Sequence, residues 1–170
     1  MRRGLAGTST QTLQKIKFLQ INVERKVAMH DVVMSKVHRD EDVLIISEPN
    51  RRICMRDAWL TDNRLDAAIV FMNKDIVVRN RGRGDGFVWV ELSELVVYSC
   101  YCSSNIDYQY FETFIAELYR DIKLRSKQVI VGGDFNAKAI EWGSPTEDRR
   151  RSLMTEWLSE ADMMVLNQGN

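Results

Sequence analysis

Five polar residues have the type and placement to do chemistry: Asn22, Glu48, Tyr101, Asp134 and Asn136. Each lies at or just beyond the end of an apolar run. In one stretch, Gln128 to Val131 leads into Gly132-Gly133-Asp134-Phe135-Asn136. The glycines let the backbone turn and let a ligand approach closely. A carboxylate with an amide two positions on suits phosphodiester hydrolysis. Glu48 is a hard oxygen donor, and Mg²⁺ takes near-octahedral oxygen coordination with one or two protein carboxylates. Such an ion polarises a phosphoryl oxygen and steadies a leaving alkoxide. Asp134 would orient or polarise a water nucleophile. Asn136 would donate to a non-bridging oxygen as charge builds, an effect of roughly 3–4 kcal/mol for one preorganised donor. Tyr101 would donate to the same phosphate, and Asn22 would bridge to metal or phosphate. Each residue also has a local reading. Asp and Asn favour turns, and a buried tyrosine needs only some partner for its hydroxyl. Four strand ends of this kind together favour a shared site.

The elements that must position these residues follow from periodicity. Ile16 to Val23 reads as a strand and Glu24 to Arg39 as a helix, with Met29, Val33 and Val37 on one face. Val43 to Ser47 reads as a buried strand ending at Glu48-Pro49, where proline stops the pairing. A helix between two apolar strands predicts a crossover unit. Arg51 to Asp66 reads as irregular. Ala67 to Met72 and Ile76 to Val78 read as short strands, and Arg79 to Asp85 as a loop. Phe87 to Leu92 and Leu95 to Tyr101 predict a hairpin. Asp107 to Arg125 predicts a helix, with Phe111, Phe114, Ile115, Leu118 and Ile122 on one stripe. The strand from Gln128 should stop at the glycine pair. Glu147 to Glu160 predicts a helix with Leu153, Trp157, Leu158 and Ala161 inward. Met163 to Leu166 predicts a last strand. Helices separating several strands place the chain in the α/β or α+β class.

The 170 residues suit one domain, with 1–15 as a polar lead-in and 16–170 as the folded part. Lys plus Arg is 24 and Asp plus Glu is 24, so the net charge is zero. This excludes a protein that coats nucleic acid by charge alone but permits local patches. Arg2-Arg3, the Arg79-to-Arg83 region and Arg149-Arg150-Arg151 are candidates, each alternatively a solvated face. Cys54, Cys100 and Cys102 make no disulfide framework. His30 and His38 stand in one charged helical segment, without zinc-ligand spacing. No apolar stretch reaches membrane-spanning length. The expected setting is intracellular and nuclear, with no membrane partner.

Asn22, Ser47-Glu48-Pro49, Ser99-Cys100-Tyr101 and Gly132-Gly133-Asp134-Phe135-Asn136 resemble, in order and spacing, the endonuclease/exonuclease/phosphatase superfamily. The closer resemblance is to the endonuclease domain of non-LTR (LINE-type) retrotransposons. It covers roughly Lys17 to Asn170 and is most specific from Asp134 to Trp142-Gly143-Ser144-Pro145. The resemblance implies a four-layer α/β sandwich of two packed mixed sheets flanked by helices. It implies a nuclease using Mg²⁺ or Mn²⁺ that nicks duplex DNA and leaves a 3′-hydroxyl, which primes a reverse transcriptase domain of the parent polyprotein. Glu48 would be the metal ligand, Asp134 and Asn136 the water- and phosphate-handling pair, and Asn22 and Tyr101 supporting catalytic residues.

The sequence also departs from the family. The family's later half supplies a further Asp and a Ser-Asp-His type motif, which this sequence does not match. The expectation is therefore an N-terminal portion of the fold, an endonuclease by ancestry, with little or no nicking if the natural chain ends at Asn170. Two alternatives follow: a non-catalytic nucleic-acid-binding remnant, or a phosphomonoesterase of the same fold, since fold does not decide function. Arg151 stands where the family has glycine, and Asn50 where it has an aromatic residue after Glu48-Pro49.

Overall fold

The computed structural model describes residues 15–36, 40–137 and 149–166. In chain order these form β1 (Phe18–Asn22), α1 (Val27–Lys36), β2 (Val43–Ser47), α2 (Arg51–Arg56), β3 (Leu60–Thr61) and β4 (Ala67–Phe71). There follow β5 (Asn80–Arg83), β6 (Phe87–Glu91), β7 (Leu95–Tyr101), α3 (Tyr108–Lys123), β8 (Gln128–Asp134) and α4 (Arg149–Glu160). One sheet has the order β1-β2-β4-β3 and the other β5-β6-β7-β8.

Strand alternation sorts the apolar side chains into three layers of core. Val43, Ile45 and Ile69 of the first sheet meet Val88, Val90 and Val97 of the second. The opposite faces of the same strands carry Leu44, Ile46 and Ala68 against Val33 of α1. They carry Trp89, Val96, Tyr98 and Cys100 against Phe111, Phe114, Leu118 and Trp157 of α3 and α4. The result is the expected four-layer α/β sandwich. The α3 stripe of Phe111, Phe114, Ile115, Leu118 and Ile122 is buried throughout. Each such side chain contributes about 1.5–3 kcal/mol of transfer free energy. Asp107 starts that helix by accepting from the Tyr110 N–H at 2.7 Å.

The chain makes two crossovers that matter for the site. β1 runs through α1 to β2, its parallel neighbour. β7 runs through α3 to β8, again parallel. In each pair both strands therefore end on the same edge of the sheet.

Five expectations are corrected. Arg51 to Asp66 is not irregular, because it holds α2 and β3. Asn50 caps α2 by accepting from the N–H groups of Arg52 and Ile53. The turn beyond β3 is built on Asp62, fully buried, whose carboxylate accepts from the N–H groups of Arg64, Asp66, Ala67 and Gly86. The Gly- and Arg-rich run is strand β5, paired antiparallel with β6 at the edge of its sheet, while Ile76 to Val78 is no strand. An edge strand needs no continuous apolar face, and charged residues suit it. Strand β8 runs through the glycine pair to Asp134. Met163 to Leu166 pairs with nothing among the described residues, and Met164 and Leu166 are exposed.

Candidate active site

The two parallel pairs align their last residues: Asn22 with Ser47 in one sheet, and Tyr101 with Asp134 in the other. Because the sheets stack, these two edges face each other, and side chains bond across the gap. Asn22 Nδ2 donates to Asp134 Oδ2 at 2.9 Å. The Tyr101 hydroxyl donates to Glu48 Oε1 at 2.7 Å. One layer down, Ser47 Oγ donates to the Cys100 carbonyl at 3.2 Å and Ser99 Oγ to the Ile46 carbonyl at 3.3 Å. Gln20 Nε2 adds a bond to the Gly133 carbonyl at 2.8 Å. The fold thus brings four of the five candidates into two direct cross-sheet pairs, and the fifth is attached to one of them. Asn136 donates its own N–H to Asp134 Oδ1 at 3.0 Å.

The local backbone explains how each side chain is aimed. Glu48 has a φ of 51°, a left-handed conformation that costs a non-glycine residue energy. It is held there on both sides, by its N–H bond to the Asp66 carbonyl (2.9 Å) and by the Arg25 N–H on its own carbonyl (2.8 Å). Asn136 has a φ of 49°, which asparagine tolerates better than most residues. Gly133 has a φ of +152°, and a Cβ there would lie 2.1 Å from the Cys100 carbonyl oxygen. Gly132 is constrained for a different reason: its Cβ would lie 2.8 Å from Ile45 Cδ1 in the facing sheet, so that side chain would have to shift.

The polar groups are committed in ways the sequence did not show. One amide hydrogen of Asn136 already goes to the Cys102 carbonyl at 3.0 Å, leaving one for a ligand. The Tyr101 proton points at Glu48 rather than at open space. Burial, and then the Glu48 hydrogen bond, push the Tyr101 phenol well above its ordinary value, so it stays a donor. Both Asp134 oxygens accept hydrogen bonds, whereas Glu48 Oε2 accepts none among the described residues.

The donor set fits a hard divalent cation. Asn22 turns its amide nitrogen to Asp134, so the hard donor left uncommitted is one carboxylate oxygen of Glu48. No group of three or more His, Cys, Asp or Glu residues suited to holding a metal occurs among the described residues.

Several residues around the site carry roles that sequence reasoning missed. His30 is 2% exposed and accepts the Asn50 N–H on Nε2 at 2.9 Å, with its ring 4.9 Å from that of Trp59. Asn50, the departure from the family's aromatic residue, caps α2 and also donates to the Arg25 carbonyl at 2.8 Å. Arg25 and Arg51 both bond Asp66 Oδ1, at 2.7 and 3.0 Å. Of the proposed arginine patches, Arg150 is buried and donates to the carbonyls of Ser103, Ser104 and Ile106, a structural role. Arg2-Arg3, His38 and the stretch from Trp142 to Pro145 lie outside the described residues.

Two comparisons with known proteins bear on this arrangement. The model of the endonuclease-reverse transcriptase family matches residues 95–170. Among solved structures, the endonuclease domain of TRAS1, a telomere-specific non-LTR retrotransposon, superposes with a TM-score of 0.72 at 24% identity, over 91% of this chain and 74% of that one. No curated protein matches. The family match thus covers residues 95–170, and over 91% of its length the chain has the fold of that endonuclease domain.

Proposed function

We propose that this chain is a divalent-metal-dependent endonuclease domain that nicks one strand of duplex DNA and leaves a 3′-hydroxyl. The observation that carries this reading is the pair of cross-sheet bonds, Asn22 to Asp134 and Tyr101 to Glu48, at the shared end of two parallel strand pairs. Residues 112 and 53 positions apart in sequence meet there.

In this reading each residue has a stated task. Glu48 would hold Mg²⁺ or Mn²⁺, and the bound ion would supply positive charge that stabilises the phosphate as it reacts. Tyr101 fixes the Glu48 carboxylate through Oε1. Asp134 is kept in one rotamer by Asn22 and by the Asn136 N–H. It orients a water for in-line attack on phosphorus and accepts the water's proton. The remaining Asn136 amide hydrogen donates to a non-bridging oxygen as negative charge grows. The bond from phosphorus to the 3′-oxygen breaks, and that oxygen takes a proton from a solvent water to become the 3′-hydroxyl. The phosphate stays on the 5′ side. A reverse transcriptase domain in the parent polyprotein would extend the new 3′ end.

The test is conversion of supercoiled to nicked plasmid in the presence of Mg²⁺. Glu48→Ala and Asp134→Ala should each lower the rate by about 100-fold or more, the scale for loss of a preorganised charged group. EDTA should abolish the reaction, and DNA polymerase should extend the product without end repair. Nicking that survives both substitutions would locate the chemistry elsewhere.

A further inference from the structure

An open groove of about 510 Å³ lies directly beside the site, between the turn after β1 and helix α2. Its lining includes Arg25, Arg51, Arg52 and Arg56, against a single acidic lining residue, Asp31. In a chain of zero net charge this is a local concentration of cations. The groove joins the site through the backbone. Asn50, two residues past Glu48, forms part of its wall, and the Arg25 N–H bonds the Glu48 carbonyl at 2.8 Å.

The cations are unequally committed. Arg56 is tied to both oxygens of Asp57, at 2.7 and 3.0 Å. Arg25 and Arg51 share one carboxylate oxygen of Asp66, two positive charges on one negative. Nη1 of Arg25 is buried without a hydrogen-bond partner. Arg52 makes no ion pair among the described residues, and its side chain is exposed. Arginine forks match phosphate oxygens well. No aromatic ring lines the groove, so it offers no platform on which a base could stack. Those two facts favour the sugar-phosphate backbone over a free nucleotide or a splayed base.

We infer that this groove seats the phosphodiester backbone flanking the scissile bond, with Arg51 and Arg52 as its phosphate contacts. The inference rests on the DNA-nicking reading and adds where the rest of the strand lies. Contacts of this kind hold DNA without reading its sequence.

The test measures binding of a fluorescein-labelled 30-base-pair duplex by anisotropy, in EDTA, across a salt series. Plasmid nicking with Mg²⁺ runs beside it. Each phosphate that the groove neutralises should add about 0.9 to the slope of log K against log salt. Arg52→Gln should weaken binding about 3- to 10-fold and lower the slope by about one. Arg51→Gln with Arg52→Gln should lower it by about two, equally for unrelated duplex sequences. Arg120→Gln with Lys123→Gln, a charge-matched pair on α3, should leave both unchanged. If the wild type binds and nicks but the Arg51/Arg52 variant keeps the full slope, the groove assignment is overturned and the nuclease reading stands. If the wild type neither binds nor nicks, both fall.

Discussion

His30 lies one hydrogen bond away from the loop that carries Glu48. Its neutral Nε2 accepts the Asn50 N–H, and a protonated imidazole could not. Burial lowers its pKa below the ordinary histidine value, against the opposing pull of Asp31 and Asp57. The unfolded chain therefore binds more protons than the folded one just below the ordinary value, and stability rises with pH there. The His30 contribution should be complete above about pH 6.5 and lost as pH falls through the folded pKa. Wild-type melting temperature should drop across that window, while His30→Gln, which cannot titrate, should give a flatter curve. At pH 8, His30→Ala should cost about 2 kcal/mol in urea unfolding, because the buried Asn50 N–H loses its acceptor. Equal pH profiles for wild type and His30→Gln would refute the assignment. At this scale Asn22, Glu48, Tyr101 and Asp134 were legible, since polar residues closing apolar runs stand out. His30 was not. Its partner Trp59 and its acceptor role arise only when the first helix packs over the turn that begins the second, and no periodicity records that.

Among the elements, β8 carries the most constraint for its length. It stays paired with β7 through Gly133 to Asp134, and only glycine fits at Gly133, where a Cβ would meet the Cys100 carbonyl. Gly133→Ala should therefore destabilise the protein by about 2–4 kcal/mol, through backbone strain combined with a clash against main chain that has no flexible end to yield. Denaturant unfolding checks this, and an unchanged midpoint would show that the strand relaxes freely. The strands and helices with continuous apolar faces, such as α3 and β7, were readable in the sequence. Those without such faces were not: α2 owes its start to an asparagine cap, and β5 exists because β6 offers an edge. The apparent strand at Met163 to Leu166 shows the converse, since apolar residues form a strand only where a partner strand is available.

For the whole molecule, the two sheets bring their strand ends into one place, so the site has no single element of its own. Glu48 and Asn22 belong to one sheet, Tyr101 and Asp134 to the other. A cation held there stabilises the folded state alone. At ten times its dissociation constant, Mg²⁺ should add about 1.4 kcal/mol, or roughly 3–6 °C in Tm for a chain of this size. Glu48→Ala should abolish the shift. A rise of the same size in Glu48→Ala would mean that the ion binds elsewhere.

The order of strands and helices gave only the α/β or α+β class, the sandwich came from the family resemblance, and the spacing between its sheets came from neither. That spacing is set partly by Gly132, which lets Ile45 of the opposite sheet come within what would be 2.8 Å of an added methyl carbon. Ile45 packs in the core between the sheets and acts as a shim between the two halves of the site. Evolutionary drift at this interior position is therefore not neutral in the way that swapping one buried aliphatic for another usually is. An isoleucine-to-methionine exchange that melted at the wild-type temperature should still alter the reach between the carboxylates of Glu48 and Asp134.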